Sequence, residues 1–211
     1  MKLIGMLDSP YVRRVAISLQ LLGLRFEHQS LSVFRGFAQF QQINPVVKAP
    51  TLLCDDGTVL MDSTLMLQYA EAVARPRSLM PAELPALQQD LRLIGLALAA
   101  TEKSVQIVYE RGLRPPEKLH PPWVERVTGQ LLAAHAQLEQ ALARQPLDAQ
   151  RATLRQAHVT LAVAWHFTQQ MLPEVVPAAD FPLQRAFSAA MEAVPEFRAA
   201  PHGERIYPVR A

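Results

Sequence analysis

The stretch Lys2-Leu3-Ile4-Gly5-Met6-Leu7-Asp8-Ser9-Pro10-Tyr11-Val12-Arg13-Arg14-Val15-Ala16-Ile17-Ser18-Leu19 decides the fold. Its apolar opening, Lys2–Leu7, reads as a short buried strand. Ser9 is a favoured helix N-cap, and Pro10 suits the first helical turn. Val12, Val15, Ala16, Leu19 and Leu22 then recur at helical spacing, and Gly23 stops the helix. A strand that turns at once into a helix presents unpaired N–H groups and a partial positive charge at the turn. That end favours an anion. The Ser9 hydroxyl and the Arg13 and Arg14 guanidinium groups sit at or just inside it. Ser9 can serve as a cap alone. The arginines can add positive field, or be solvated, or pair across an interface between two copies.

Working outward, Arg25–Leu31 reads as a second strand, which makes a βαβ unit with a parallel pair. Phe37–Ile43 is a short helix closed by Asn44-Pro45. Thr51–Cys54 and Val59–Met61 are strand-like runs joined by Asp55-Asp56-Gly57-Thr58, a strong hairpin signal. Ser63 caps a further helix that runs to Ala74, with Leu65, Leu67 and Tyr69 on its buried face. The order β-α-β-α-β-β-α is that of a thioredoxin-like half. Arg75-Pro76-Arg77-Ser78 and Pro81 mark a linker, and no strand pattern follows it. Helical patterns cover Leu84–Arg111, Trp123–Arg144 and Phe181–Val194, the last ended by Pro195. The stripe of the second is Val124, Val127, Leu131, Ala134, Leu138 and Leu142. A further helix reaches Gln170, and Thr153 with Gln156 can form its capping box. The fold class is therefore α/β plus all-α. Residues 1–75 form an N-terminal thioredoxin-like domain, and residues 84–211 form a C-terminal helical bundle domain.

Composition narrows the function. The chain has 211 residues, half of them hydrophobic, which is enough for a substantial core. Lys and Arg number 21 against 19 Asp and Glu, with no basic run long enough for a nucleic-acid groove. No apolar run approaches the roughly 20 residues that span a bilayer. The N-terminus does not read as a signal peptide. One cysteine, Cys54, excludes an intrachain disulfide and suits a reducing cytosol. The expectation is a cytoplasmic protein that engages neither nucleic acid nor membrane. Six histidines lack the spacing and partners of a zinc site, so no metal is expected. Ser9 and Val12 stand where a thiol oxidoreductase carries its Cys pair, which argues against disulfide chemistry. Cys54, in a strand run, reads as a buried structural thiol.

The motifs resemble the cytosolic glutathione transferase superfamily. Ser9-Pro10-Tyr11-Val12-Arg13-Arg14-Val15 is similar to the start of its serine-type classes, the plant tau class most of all, and of related bacterial proteins. Asn44-Pro45, Lys48-Ala49-Pro50, Asp55-Asp56-Gly57 and Asp62-Ser63 follow in the order of the family's glutathione-site stretch. Tyr109–Trp123 looks like the helical domain of a bacterial subgroup, and Phe181–Pro201 resembles the family's closing helices. The resemblance covers most of the chain.

It implies an enzyme with glutathione as co-substrate. Ser9 would be the catalytic hydroxyl that steadies the thiolate. Pro50 would be a cis-proline that opens the Ala49 backbone to the peptide. Lys48 and Arg35 would meet the glycine carboxylate, a surface role for Arg35 standing equally open. Ser63 would meet the γ-glutamyl carboxylate and Asp62 its ammonium, both also readable as simple helix caps. A small hydrophobic electrophile would lie between the domains, with Tyr11, Tyr109 and Trp165 as lining candidates. The family also implies a homodimer. Two alternatives share these residues: a non-catalytic binding or protein-interaction module, and a glutathione-dependent isomerase. One departure stands out. Relatives place a Ser/Thr and an Asp as a capping box on the core helix of the helical domain. Here Arg155 and His158 occupy those places, and Thr153 with Gln156 is the expected substitute.

Overall fold

The computed structural model describes residues 1–205 and Tyr207. Four short strands form one mixed sheet: β1 (Lys2–Ile4), β2 (Glu27–Gln29), β3 (Thr51–Leu53) and β4 (Val59–Leu60). Their order is β2-β1-β3-β4. β1 runs parallel to β2, with Leu3 opposite His28, and antiparallel to β3, with Leu3 opposite Leu52. The first strand ends earlier than its apolar run suggests. Gly5 takes φ +135°, and a Cβ there would stand 2.6 Å from Val12 Cγ2 and 3.2 Å from Ala49 Cβ. Only glycine lets the chain turn this close to the following helix.

α1 (Pro10–Leu21) is buried on nearly every side. α2 (Phe37–Ile43) ends at Asn44, as Asn44-Pro45 requires. The Asp-Gly turn holds between β3 and β4, with Gly57 at φ +87°. α3 (Ser63–Val73) packs against α1 through Met66, Leu67 and Ala70. Leu65 and Tyr69, expected inside, face outward with Val73. The Met66, Leu67 and Ala70 positions lie on one helical face with Ser63, and that face turns Leu65 and Tyr69 away.

The chain divides into two compact units. One is Met1–Leu79 with the described residues of Ala193–Ala211, and the other is Met80–Glu192. The sequence reading assigned everything from residue 84 onward to the helical domain. The closing segment instead belongs to the first unit because its polar and aromatic groups find partners there. Its short helix, α8 (Pro195–Ala199), lies on α1. Arg13 Nε donates to the Ala200 carbonyl at 2.8 Å, and its guanidinium lies 5.6 Å from the Phe197 ring centre. Gln20 Nε2 donates to the Glu196 carbonyl at 3.1 Å. Tyr207 stacks on Phe26, with ring centres 4.7 Å apart.

The second unit holds α4 (Leu84–Leu113), α5 (Pro121–Arg144), α6 (Gln156–Met171) and α7 (Pro182–Glu192). The expected helix Phe181–Val194 is α7, and Pro195, expected to end it, also opens α8. α6 is central and packs on α4 and α7. Trp165 sits in the core beside Leu131, Ala134 and Phe181. His135 is fully buried there, its Nδ1 2.9 Å from Gln184 Oε1. Gln184 Nε2 donates to the His135 carbonyl and to Glu139, so its oxygen must accept from His135 Nδ1–H.

The Thr153–Gln156 capping box does not form. Thr153 lies in a one-turn helix, Arg151–Thr153, and its hydroxyl donates to Asp148 Oδ1 at 2.7 Å. Arg155 is the N-cap of α6, and its N–H donates to His158 Nδ1 at 3.3 Å. A guanidinium has no lone pair with which to cap a helix. It contributes differently. Arg155 Nε stands 3.1 Å from Asp90 Oδ2 on α4, an ion pair not aligned as a hydrogen bond. Burial pushes the Asp90 carboxyl above its ordinary value, and the Arg155 charge opposes this. The acid beside this helix start thus comes from α4 and not from α6 itself. Among the described residues, no helix is long and apolar enough to cross a membrane.

Candidate functional site

Ser9 sits between the Gly5 turn and α1. Its N–H donates to the Met6 carbonyl at 3.2 Å, and its own carbonyl accepts from Arg13 N–H at 2.9 Å. As N-cap, its Oγ accepts from Val12 N–H at 3.4 Å, a long and weak bond. That bond does not use the hydroxyl proton, which can be donated to an anion at the helix end. Asp8, next to it, is half-buried. Burial holds its carboxyl above the ordinary value, and the charge of His202 pulls the other way.

The second motif lies against the first. The Ala49–Pro50 peptide is cis, and Pro50 is buried. Asn44 fixes this turn. Its Nδ2 donates to Thr51 Oγ1 at 2.8 Å, and its Oδ1 accepts from Val46 N–H at 3.0 Å. Thr51 Oγ1 in turn donates to the Lys48 carbonyl at 2.8 Å. Ala49 packs on Gly5, which places its backbone beside the loop that leads to Ser9. The Lys48 side chain is exposed.

At the third motif the N-cap is Asp62, not Ser63. The Asp62 carboxylate accepts from Thr64 N–H at 3.0 Å and from Leu65 N–H at 3.4 Å. Ser63 begins α3 and is buried. Its Oγ accepts from Arg14 Nη1 at 3.2 Å, and Thr64 Oγ1 accepts from the same nitrogen at 3.2 Å. Arg14 is itself buried. Burial brings its guanidinium down to about 10, with the Asp62 carboxylate opposing, so it stays charged at neutral pH. With its oxygen engaged by a cation, Ser63 can turn its proton outward as a donor. Arg14 thus ties the first motif to the third, a role the sequence reading did not separate from that of Arg13. The available signal was a charged side chain inside an otherwise apolar helical run. Neither arginine is solvated, and both are sealed within the first unit.

The remaining candidates are placed as follows. Arg35 is exposed, pairs with the Glu204 carboxylate, and brings Nη2 to 3.9 Å from Met6 Sδ. Tyr11 is half-buried at the start of α1. Tyr109 is 44 % exposed on α4, a surface position. Trp165 is 3 % exposed, and its indole is a core element of the helical unit, edge-on to His135 at 5.5 Å. Cys54 is buried. Among the described residues, no group of three or more His, Cys, Asp or Glu is gathered to hold a metal ion.

These observations define the class: a thioredoxin-like domain whose first helix is capped by Ser9, joined in sequence to an all-helical unit. Residues 3–78 match the model of the glutathione S-transferase N-terminal domain. Those residues match that domain family, and the fold is that of its solved structures. It is similar to glutathione S-transferase U4 of Arabidopsis thaliana, 30 % identical over 80 residues. That match covers 38 % of this chain and 36 % of the relative. An uncharacterised GST-like protein of Escherichia coli, YibF, is 33 % identical over 85 residues, 40 % of each chain. The matched stretches thus span well under half of these relatives. A solved structure aligns more fully. A glutathione transferase family member from Pseudomonas fluorescens Pf-5, crystallised with bound glutathione, aligns at TM-score 0.81 and 28 % identity. It covers 94 % of this chain and 97 % of the other.

Proposed function

We propose that this chain is a glutathione transferase that holds glutathione as its thiolate beside Ser9 and directs it onto a small hydrophobic electrophile. The observation that carries this reading is the convergence of three motifs far apart in sequence. Ala49 touches the Gly5 turn that delivers Ser9, and Arg14 of α1 reaches Ser63 at the start of α3. A serine hydroxyl, an exposed peptide edge and a charged helix start are thereby set on one sheet-and-helix framework.

The chemistry required is modest. A free thiol with pKa near 8.5 is only a few per cent ionised at neutral pH. Lowering it by about two units takes roughly 2.7 kcal/mol of preferential interaction with the anion. A hydroxyl donor and the N-terminal end of α1 are of the right kind and scale to supply it. Ser9 acts as donor and does not itself attack. The Ala49 backbone pairs with the peptide as an added strand. Ser63, oriented by Arg14, takes the γ-glutamyl carboxylate at the start of α3, and Asp62 takes the ammonium. Lys48 and Arg35 serve the glycine carboxylate. Tyr11 remains the lining candidate of the first unit, and no metal is invoked.

Calorimetric titration with glutathione, followed by conjugation of a chloronitrobenzene, tests the proposal. Binding with turnover is the expected result. Binding without turnover assigns the chain to the non-catalytic members or to an isomerase of other substrates, and no binding overturns the reading. The same reading carries a cytoplasmic homodimer, which size measurement in solution checks against the 23.5 kDa chain mass.

A further inference from the structure

The closing segment brings acidic and basic groups to the thiol site that the proposed chemistry does not use. Tyr207 N–H donates to His28 Nδ1 at 2.9 Å, and His28 Nε2, which must then carry the proton, donates to the Gly5 carbonyl at 2.8 Å. One neutral imidazole therefore fastens this segment to the turn that delivers Ser9. The Glu204 carbonyl accepts from Ser30 Oγ at 3.0 Å. These contacts hold the Glu204 carboxylate on Arg35, whose guanidinium leans toward Met6. Asp8, adjacent to Ser9, faces the same group of His202, Glu204 and Arg35.

We propose that Glu204 is a specificity-determining residue for the carboxyl-terminal end of the thiol peptide. By engaging Arg35 it withdraws one of the two cations assigned to that end and leaves a carboxylate close by. A free terminal carboxylate then gains less than it would from an unengaged Arg35, and it meets the repulsion of Glu204 and Asp8. A thiol peptide whose terminal carboxylate is masked as an amide or ester loses neither. The site accepts the masked and free forms on nearly equal terms. This inference rests on the glutathione reading above.

The test is calorimetric titration of the full chain with reduced glutathione and with its glycine monoethyl ester, in the natural protein, Glu204→Gln, Arg35→Gln and the double variant. The natural protein is expected to bind the two ligands within about threefold of each other. Glu204→Gln should tighten the free acid about threefold, the scale of an exposed ion pair, and leave the ester unchanged. In the Arg35→Gln background no cation is left to release, so the Glu204 substitution should relieve only the repulsion and tighten the free acid by less than it does in the natural protein. An unchanged acid-to-ester ratio in Glu204→Gln, with glutathione still bound by the natural protein, overturns the proposal. So does equal weakening of both ligands, which marks a merely structural segment. Failure of the natural protein to bind either ligand overturns the glutathione reading itself.

Discussion

The two units bury polar groups for different ends. In the first, the sealed charges are arginines that reach oxygens across the unit: Arg13 to the Ala200 carbonyl, Arg14 to the Ser63 and Thr64 hydroxyls. Arg14 joins the motif around Ser9 to the start of α3. In the second, the sealed groups are Asp90, His135, His158 and Gln184, which close one helix on another. Buried polarity thus joins two motifs through Arg14 and fastens the closing segment through Arg13 in one unit, and only fastens helices in the other. What separates them is the company each group keeps: a helix start and an exposed turn in the first, apolar core in the second.

The largest test of that contrast is Trp165→Ala. If the indole is core, its loss costs about 4 kcal/mol in denaturant unfolding. A small stability change with altered electrophile preference would restore it to a binding role.

The next is acid. Burial, then the Arg155 charge, lowers His158 from 6.5 to about 4. Between those values the unfolded chain binds a proton that the folded chain refuses. Stability is therefore full above about pH 6.5 and falls as pH drops toward 4, by at most about 3 kcal/mol from this group. Burial also lowers His28 and His135, so they act in the same direction. Urea midpoints measured across this range should fall, and His158→Gln should flatten but not abolish the slope.

Ser9→Ala should reduce turnover at neutral pH by about twentyfold at most while changing glutathione affinity much less, because the hydroxyl shares a two-unit lowering of the thiol with the helix end. Unchanged turnover removes Ser9 from the chemistry. Arg14→Gln should weaken glutathione by about tenfold in calorimetry, because Ser63 loses the charged donor that orients it. The smallest effect belongs to Thr153→Ala. A helix cap would cost about 1 kcal/mol, but this exposed hydroxyl should change stability by less than about 0.5 kcal/mol.

Legibility followed the same division. The sheet, the turns and the linker near which the first unit ends, after Leu79, were written in local signals: Pro10 after Ser9, Asn44-Pro45, Asp56-Gly57, and apolar runs giving way to helical spacing. The residues offered for the site were local too, each being a cap or a turn. What escaped was long-range. Nothing near Arg155 announces that its partner is Asp90, and nothing near Arg13 announces Ala200. The face of α3 was misjudged because Leu65 and Tyr69 are as apolar as Met66 and Leu67, and only packing on α1 chooses between them. Hydrophobicity likewise could not tell Trp165 in a core from Trp165 in a cavity.

The Arg13–Ala200 bond has a practical consequence. A fragment trimmed to the first 79 residues would look like a complete module by sequence, yet it would lose the Ala200 carbonyl and the Phe197 ring that meet Arg13 and would bare the face of α1 on which α8 lies. Such a truncation would misfold or aggregate for a reason unrelated to thiol chemistry. Excising the module faithfully means splicing the closing stretch back on through a linker.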